Sequence, residues 1–232
     1  MKQMRIGALV AILCVMPLVA ACVAPGQGEP GRSPAAATDT PAGLAREQRI
    51  AMRARGNAAA GEVAFEVCEG CHRHAGAGRP NGSYPRLAGQ HPSVLIKQVY
   101  DIRAGRRPNH KMLPFADEDI VGPKDIADIA AYLRAQPVKA DNGRGPGTDL
   151  GRGQVLYERD CARCHGTAGQ GDGRRAVPRL SGQHYLYLLR AARAVRDGER
   201  GNSDPEMAKV IGSYTEAELE AVSDFASRLP VG

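Results

Sequence analysis

The sequence predicts an all-α protein of two tandem, related halves, and three observations predict it. The pentad Cys68-Glu69-Gly70-Cys71-His72 recurs 93 positions later as Cys161-Ala162-Arg163-Cys164-His165. The heptad Pro85-Arg86-Leu87-Ala88-Gly89-Gln90-His91 recurs at the same offset as Pro178-Arg179-Leu180-Ser181-Gly182-Gln183-His184. Around both, apolar residues fall at helical spacing, and no stretch alternates as a strand does.

Taken in order, residues 1–21 have a basic start at Lys2 and Arg5, then an apolar run to Ala21 interrupted by Pro17. Such a segment, ending in small residues, describes an export signal, and the run is short for a spanning helix. Val19-Ala20-Ala21-Cys22 resembles a bacterial lipobox, which makes Cys22 the expected lipid anchor; the plainer alternative is an ordinary signal with an incidental cysteine. Residues 22–57 read as a flexible tether, rich in Pro, Gly, Ala, Ser and Thr over 23–43. A short basic helix fits Leu44 to Arg55, read as solvated instead of docked.

The first domain is expected over 58–140 and the second over 141–232. Each reads as helix, CxxCH, long loop, helix, distal loop, helix. In the middle helix Leu95, Val99 and Ile102 match Leu188, Ala192 and Val195, with Gly105 and Gly198 as stops. The last helices align Ile126, Ile129 and Leu133 with Leu219, Val222 and Ala226, and Tyr132 with Phe225. The leading helices fit less well. Gly61 precedes Cys68 by seven residues and Gly153 precedes Cys161 by eight, so pairing Phe65 with Tyr157 breaks register.

Composition asks for a cofactor. The 232 residues include no Trp, three Phe and seven Tyr, thin material for two cores of about 80 residues each. The net charge of +6 does not indicate nucleic acid. Residues 1–60 carry seven Lys and Arg against three acids, while 61–137 carry 10 against 9 and 149–232 carry 12 against 12. The excess lies in the leader and tail, and no basic stripe is interleaved with aromatics.

CxxCH is the attachment pattern of c-type haem, in which two thiols bond the porphyrin and the adjacent imidazole ligates iron. Cys68, Cys71, Cys161 and Cys164 are the expected attachment residues, with His72 and His165 as proximal ligands. Disulfides are the competing use of six cysteines. Four of them fall in the two motifs, and Cys14 and Cys22 belong to the leader. Two covalently bound haem c groups follow.

The sixth iron position separates carrier from catalyst. Met112 lies 40 residues after His72 and Met207 lies 42 after His165, both in the expected distal loop. Each is the one methionine of its half, and both are the expected distal ligands. The competing histidines are His91 and His184, which sit at the start of the middle helix and are expected to bond locally. His110 lacks a counterpart, and His74 follows its motif too closely. Pro85 and Pro178 are expected to turn the chain beside the proximal ligands, where a backbone carbonyl could accept the histidine Nδ1–H; the plainer alternative is that they are loop prolines.

These motifs resemble the dihaem class I cytochromes, most closely the cytochrome c4 family, over about Ala59 to Pro230. The resemblance implies two class I cytochrome c domains related by a pseudo-twofold axis, and a periplasmic carrier of single electrons, not an enzyme. Its implied acceptor is a terminal haem-copper oxidase and its donor a quinol-oxidising complex. The alternative is a cytochrome subunit accepting electrons from a dehydrogenase, such as a flavocytochrome c sulfide dehydrogenase or an alcohol dehydrogenase. A catalytic dihaem protein would need one open iron position. Arg73 stands where the family has glycine after CxxCH, whereas Gly166 keeps it.

Overall fold

The computed structural model describes residues 40–231. The first half contains α1 (Pro41–Arg53), α2 (Ala58–His72), α3 (Pro92–Arg103) and α4 (Pro123–Ala135). The second contains α5 (Leu150–Leu156), a π-helical segment Tyr157–Cys161, α6 (Ala162–His165), α7 (Tyr185–Arg196), α8 (Pro205–Gly212) and α9 (Glu216–Ser227). Among the described residues the one strand-like pairing is an isolated bridge, Asp172 with Val177. None of the helices there is long and apolar enough to cross a membrane.

In each half the first and last helices of the repeat cross at a glycine. A Cβ on Gly61 would lie 2.0 Å from the Asp128 carbonyl oxygen, and one on Gly153 would lie 2.2 Å from that of Ala221. Only glycine lets the backbones approach this closely. One turn later Phe65 meets Tyr132 with ring centroids 5.7 Å apart, and Tyr157 meets Phe225 at 5.6 Å. Phe65 and Tyr157 are therefore equivalent, despite the broken register. The extra residue falls between Tyr157 and Cys161, where the helix widens into the π segment. A π-bulge is how a helix absorbs one inserted residue.

The assignment of 22–57 as a flexible tether is corrected over Pro41–Arg53, which form α1. Thr40 caps α1, its hydroxyl accepting the Gly43 N–H at 3.0 Å, and Pro41 supplies the preset first turn. The helix packs on α3 and α4 and buries Ala51 and Glu47. Glu47 meets Arg103 at 3.2 Å, both side chains at least nine-tenths buried. Arg103 stacks on Tyr100, 5.0 Å from the ring centroid, and donates to the carbonyls of Ala116 and Val121. A charged residue that finds a buried partner docks a helix whose sequence looked solvated. Residues 22–39, with Cys22 and the leader, lie outside the described residues.

His91 and His184 do not bond locally; they join the halves. His91 donates through Nε2 to Gln170 O at 2.8 Å, and His184 through Nε2 to Ala77 O at 3.0 Å. The glutamines beside them cross as well. The Gln183 amide takes the Arg86 N–H and donates to the Arg86 carbonyl, both at 2.8 Å. Gln90 does the same with Arg179, at 2.9 and 3.1 Å. Each side chain thus mimics a strand partner for one peptide of the other half, in a reciprocal, twofold-like pattern. Val138 of the linker sits against both Gly89 and Gly182, where a Cβ would come within 2.1 and 2.3 Å of its methyls. The PRLxGQH heptad is thus an assembly motif.

Arg73 takes the backbone angles φ 63°, ψ 168°, and Gly166 the equivalent φ 81°, ψ 154°. That region is nearly reserved for glycine and costs another residue about 1–3 kcal/mol. Arg73→Gly is therefore expected to stabilise the first half by about 1 kcal/mol, after the greater freedom of glycine in the unfolded chain is deducted. Urea denaturation followed by circular dichroism measures it; a destabilised variant would show that the arginine side chain makes a contact worth more than the strain.

Candidate functional site

A single cavity of about 920 Å³ runs through the described structure. Cys68, Cys71, His72 and Met112 line it from the first half, and Cys161, His165 and Met207 from the second. The rest of its wall is largely apolar, with Leu95, Val99, Ile126 and Leu133 on one side and Leu188, Val195, Ile211 and Val222 on the other. Folded interiors pack with few voids larger than a water molecule. A cavity of this size between two small helical cores is shaped for large apolar occupants.

Both histidines are buried, at 8% and 7% exposure for His72 and His165. His72 donates its Nδ1–H to Pro85 O at 3.2 Å, and His165 donates to Pro178 O at 2.9 Å. This fixes the tautomer and leaves the Nε2 lone pair free to bind a metal. Burial lowers both pKa values, which favours the neutral, ligating form. The heptad links this arrangement to the other half, since the peptide gripped by each glutamine directly follows the proline that holds the histidine.

The four motif cysteines are free thiols, so CxxC is not a disulfide here. Burial pushes Cys68 up to about 11 and Cys161 up to about 12. A dithiol built for exchange has a depressed pKa instead. Cys68, Cys71 and Cys161 line the apolar cavity, which suits covalent attachment of what it holds, while Cys164 is half-buried and is not part of the wall.

Met112 opens the short 3₁₀ turn Leu113–Phe115, its N–H bonded to the Asn109 carbonyl at 3.1 Å. Met207 departs from the loop position expected for it and lies in the first turn of α8, capped by Asp204. The segments between the middle and last helices are equally long, since Gly105 with Gly198 and Ile126 with Leu219 both keep the offset of 93, so Met207 sits two positions further along its segment than Met112; both methionines line the cavity wall. His110 also lines the cavity, whereas His74 is exposed and pairs with Glu69.

Sequence reading overlooked a set of arginines in this wall, Arg107, Arg190 and Arg200, gathered about Tyr187. The available signal was the repeat itself, for Arg107 and Arg200 stand 93 positions apart.

Residues 58–137 and 150–229 each match the sequence profile of the cytochrome c family. The cytochrome c4 of Azotobacter vinelandii is 32% identical over 194 residues, covering 76% of this chain and 90% of that protein. A thiosulfate dehydrogenase electron acceptor from Stutzerimonas stutzeri is 33% identical over 172 residues, covering 68% and 77%. The crystal structure of reduced recombinant cytochrome c4 from Pseudomonas stutzeri superposes with a TM-score of 0.67 at 29% identity, covering 76% of this chain and all of that one. Two proximal-type histidines, two reduced CxxC pairs and one shared apolar cavity agree with these likenesses, and the chain belongs to the cytochrome c4 family of electron carriers, with two covalently bound haem c groups.

Proposed function

We propose that this chain carries single electrons through the periplasm to a terminal haem-copper oxidase, with both iron positions closed in each half. Haem bound in the two sites supplies reversible one-electron chemistry between Fe(II) and Fe(III). Cys68 and Cys71 hold one group and Cys161 and Cys164 the other. His72 and His165 are the proximal ligands, oriented by the Pro85 and Pro178 carbonyls. Met112 and Met207 are the distal ligands. The observation that carries this reading is one cavity lined by a buried imidazole and a thioether from each half. With both axial positions taken from the protein, the iron environment changes little between oxidation states and small molecules are kept off.

A redox titration followed in the visible and near-infrared tests the assignment. It should resolve two one-electron waves, each with the spectrum of histidine–methionine ligation. Rapid, complete binding of carbon monoxide to either reduced haem would indicate an open position and overturn the closed-site reading.

A second reading is favoured by one observation, the 33% identity to a protein named as a thiosulfate dehydrogenase electron acceptor. On that reading the immediate donor is a dehydrogenase. Mixing the reduced protein with oxidase, and the oxidised protein with thiosulfate dehydrogenase and thiosulfate, ranks the two by rate.

Cys22 is proposed as the site of acylation that keeps the carrier at a membrane surface. Bacterial lipoproteins carry more than one acyl chain, and stable attachment takes more than one. Cys22→Ser is expected to move essentially all of the mature protein from the membrane fraction to the soluble periplasm. Retention in the membrane fraction would reassign the anchor to an uncleaved leader.

A further inference from the structure

Arg107 and Arg200 occupy equivalent positions in the two halves and converge on one residue, Tyr187 of α7. Arg107 donates through Nη2 to the Tyr187 hydroxyl at 3.1 Å. Arg200 is held over α3 of the first half by Gln98, 3.1 Å from its Nη2, while its buried Nε has no hydrogen-bond partner. Arg190 stacks on the same tyrosine, 5.4 Å from the ring centroid, and donates to Gly82 O at 2.6 Å. All four side chains line the cavity shared by the two halves.

Three guanidiniums around one phenol make a site with positive charge to spare. Among the described residues none of them has a salt-bridge partner; the buried Asp101 is already engaged by Lys97 and Arg106 at 2.6 and 2.7 Å and by Asn202. Burial, and after it repulsion from Arg107, lowers the pKa of Arg200. The same charges outweigh burial at Tyr187 and lower its pKa. Like charges gathered in a partly desolvated place are costly unless an anion joins them. A guanidinium with a free N–H edge is suited to a carboxylate.

We propose that Arg107, Arg190 and Arg200, with Tyr187, form one carboxylate seat shared by the two halves. Its ligands are propionate groups of the two haems, and its charge sets both reduction potentials together. This rests on the two-haem reading above. Positive charge beside a haem favours Fe(II), because reduction removes one positive charge from the iron. Removing a guanidinium lowers the potential, and because the seat is shared, one substitution acts on both haems.

The experiment is a spectroelectrochemical titration of the holoprotein with Arg107→Gln, Arg200→Gln, Arg107→Lys and Arg200→Lys, alongside intact mass. Mass should show two haems in every variant; loss of one would count against the haem assignment itself, separately from this inference. Each glutamine variant should lower both couples, changing each Fe(II)/Fe(III) ratio at fixed ambient potential by roughly 3- to 10-fold, where tenfold is 59 mV for one electron. The lysine variants should restore most of the shift while changing thermal stability no less than the glutamine ones. Unchanged potentials with two haems present, or a shift confined to one haem, would overturn the shared seat. A wild-type potential that moves with inorganic phosphate at constant ionic strength would show a free anion in the seat instead, and overturn the propionate assignment.

Discussion

Cys68→Ser/Cys71→Ser should yield a mature protein lighter by one haem, with its first half molten or unfolded. The first part follows from chemistry, because serine cannot make the thioether bonds that hold the group. The second follows from packing. Both halves line the cavity of about 920 Å³, and an even division gives each occupant about half of it. At about 24 cal/mol per Å³ of unfilled volume, losing one occupant costs on the order of 10 kcal/mol, an upper bound because part of the wall faces solvent. A whole domain is stable by only about 5–15 kcal/mol. The first core has little reserve, since its buried set, with Phe65, Leu95, Tyr100, Ile126 and Leu133 among it, is small and curves around the cavity. Intact mass reads the first effect and far-UV circular dichroism with a thermal melt the second. A variant with two haems by mass, or one haem short with an unchanged melt, would refute the assignment or the packing argument respectively.

What the sequence made legible was local or repeated. CxxCH, a turn 13 residues beyond each histidine and the helix-stopping glycines are short-range patterns; each histidine bonds the carbonyl of its proline, and Gly105 and Gly198 take positive φ at the helix ends. The docking of α1 was not legible. Its buried face consists of an alanine and a glutamate, and the partner that makes Glu47 tolerable is 56 positions away at Arg103. No window along the chain contains that pair.

The repeat was read correctly as a duplication, yet its strictest part was given the wrong use. A motif repeated in each half can face inward, where its bonds are local, or toward the axis relating the halves, where they cross. Sequence does not distinguish the two. Gln90, His91, Gln183 and His184 take the second course. Arg107 and Arg200 were overlooked for a related reason. Charged residues just after a helix-ending glycine look like solvated surface until the fold turns that loop toward the other half. The π segment shows the opposite case, where an apparent mismatch of one residue is a local bulge in a conserved packing scheme.

Met112→His should keep two haems in the protein while lowering the potential of one and leaving the other nearly unchanged. Imidazole replaces thioether, and axial ligands command roughly 0.8 V of haem potential, with His–His pairs at the lower end. The surroundings permit the exchange. Met112 is only part-buried, and its turn leaves Leu113 and Phe115 exposed, so a ring can enter without displacing core. Met207→His is a harder exchange, because Met207 is fixed in α8 by the Asp204 cap and packs against the second core. It should lower the other potential at some cost in stability. Near-infrared spectra should then show one sulfur ligation lost in each single variant and both lost in the double. If the titration of Met112→His overlaid the parent's, the thioether would not be a ligand, and His110, two residues away on the same cavity wall, would be the group to test next.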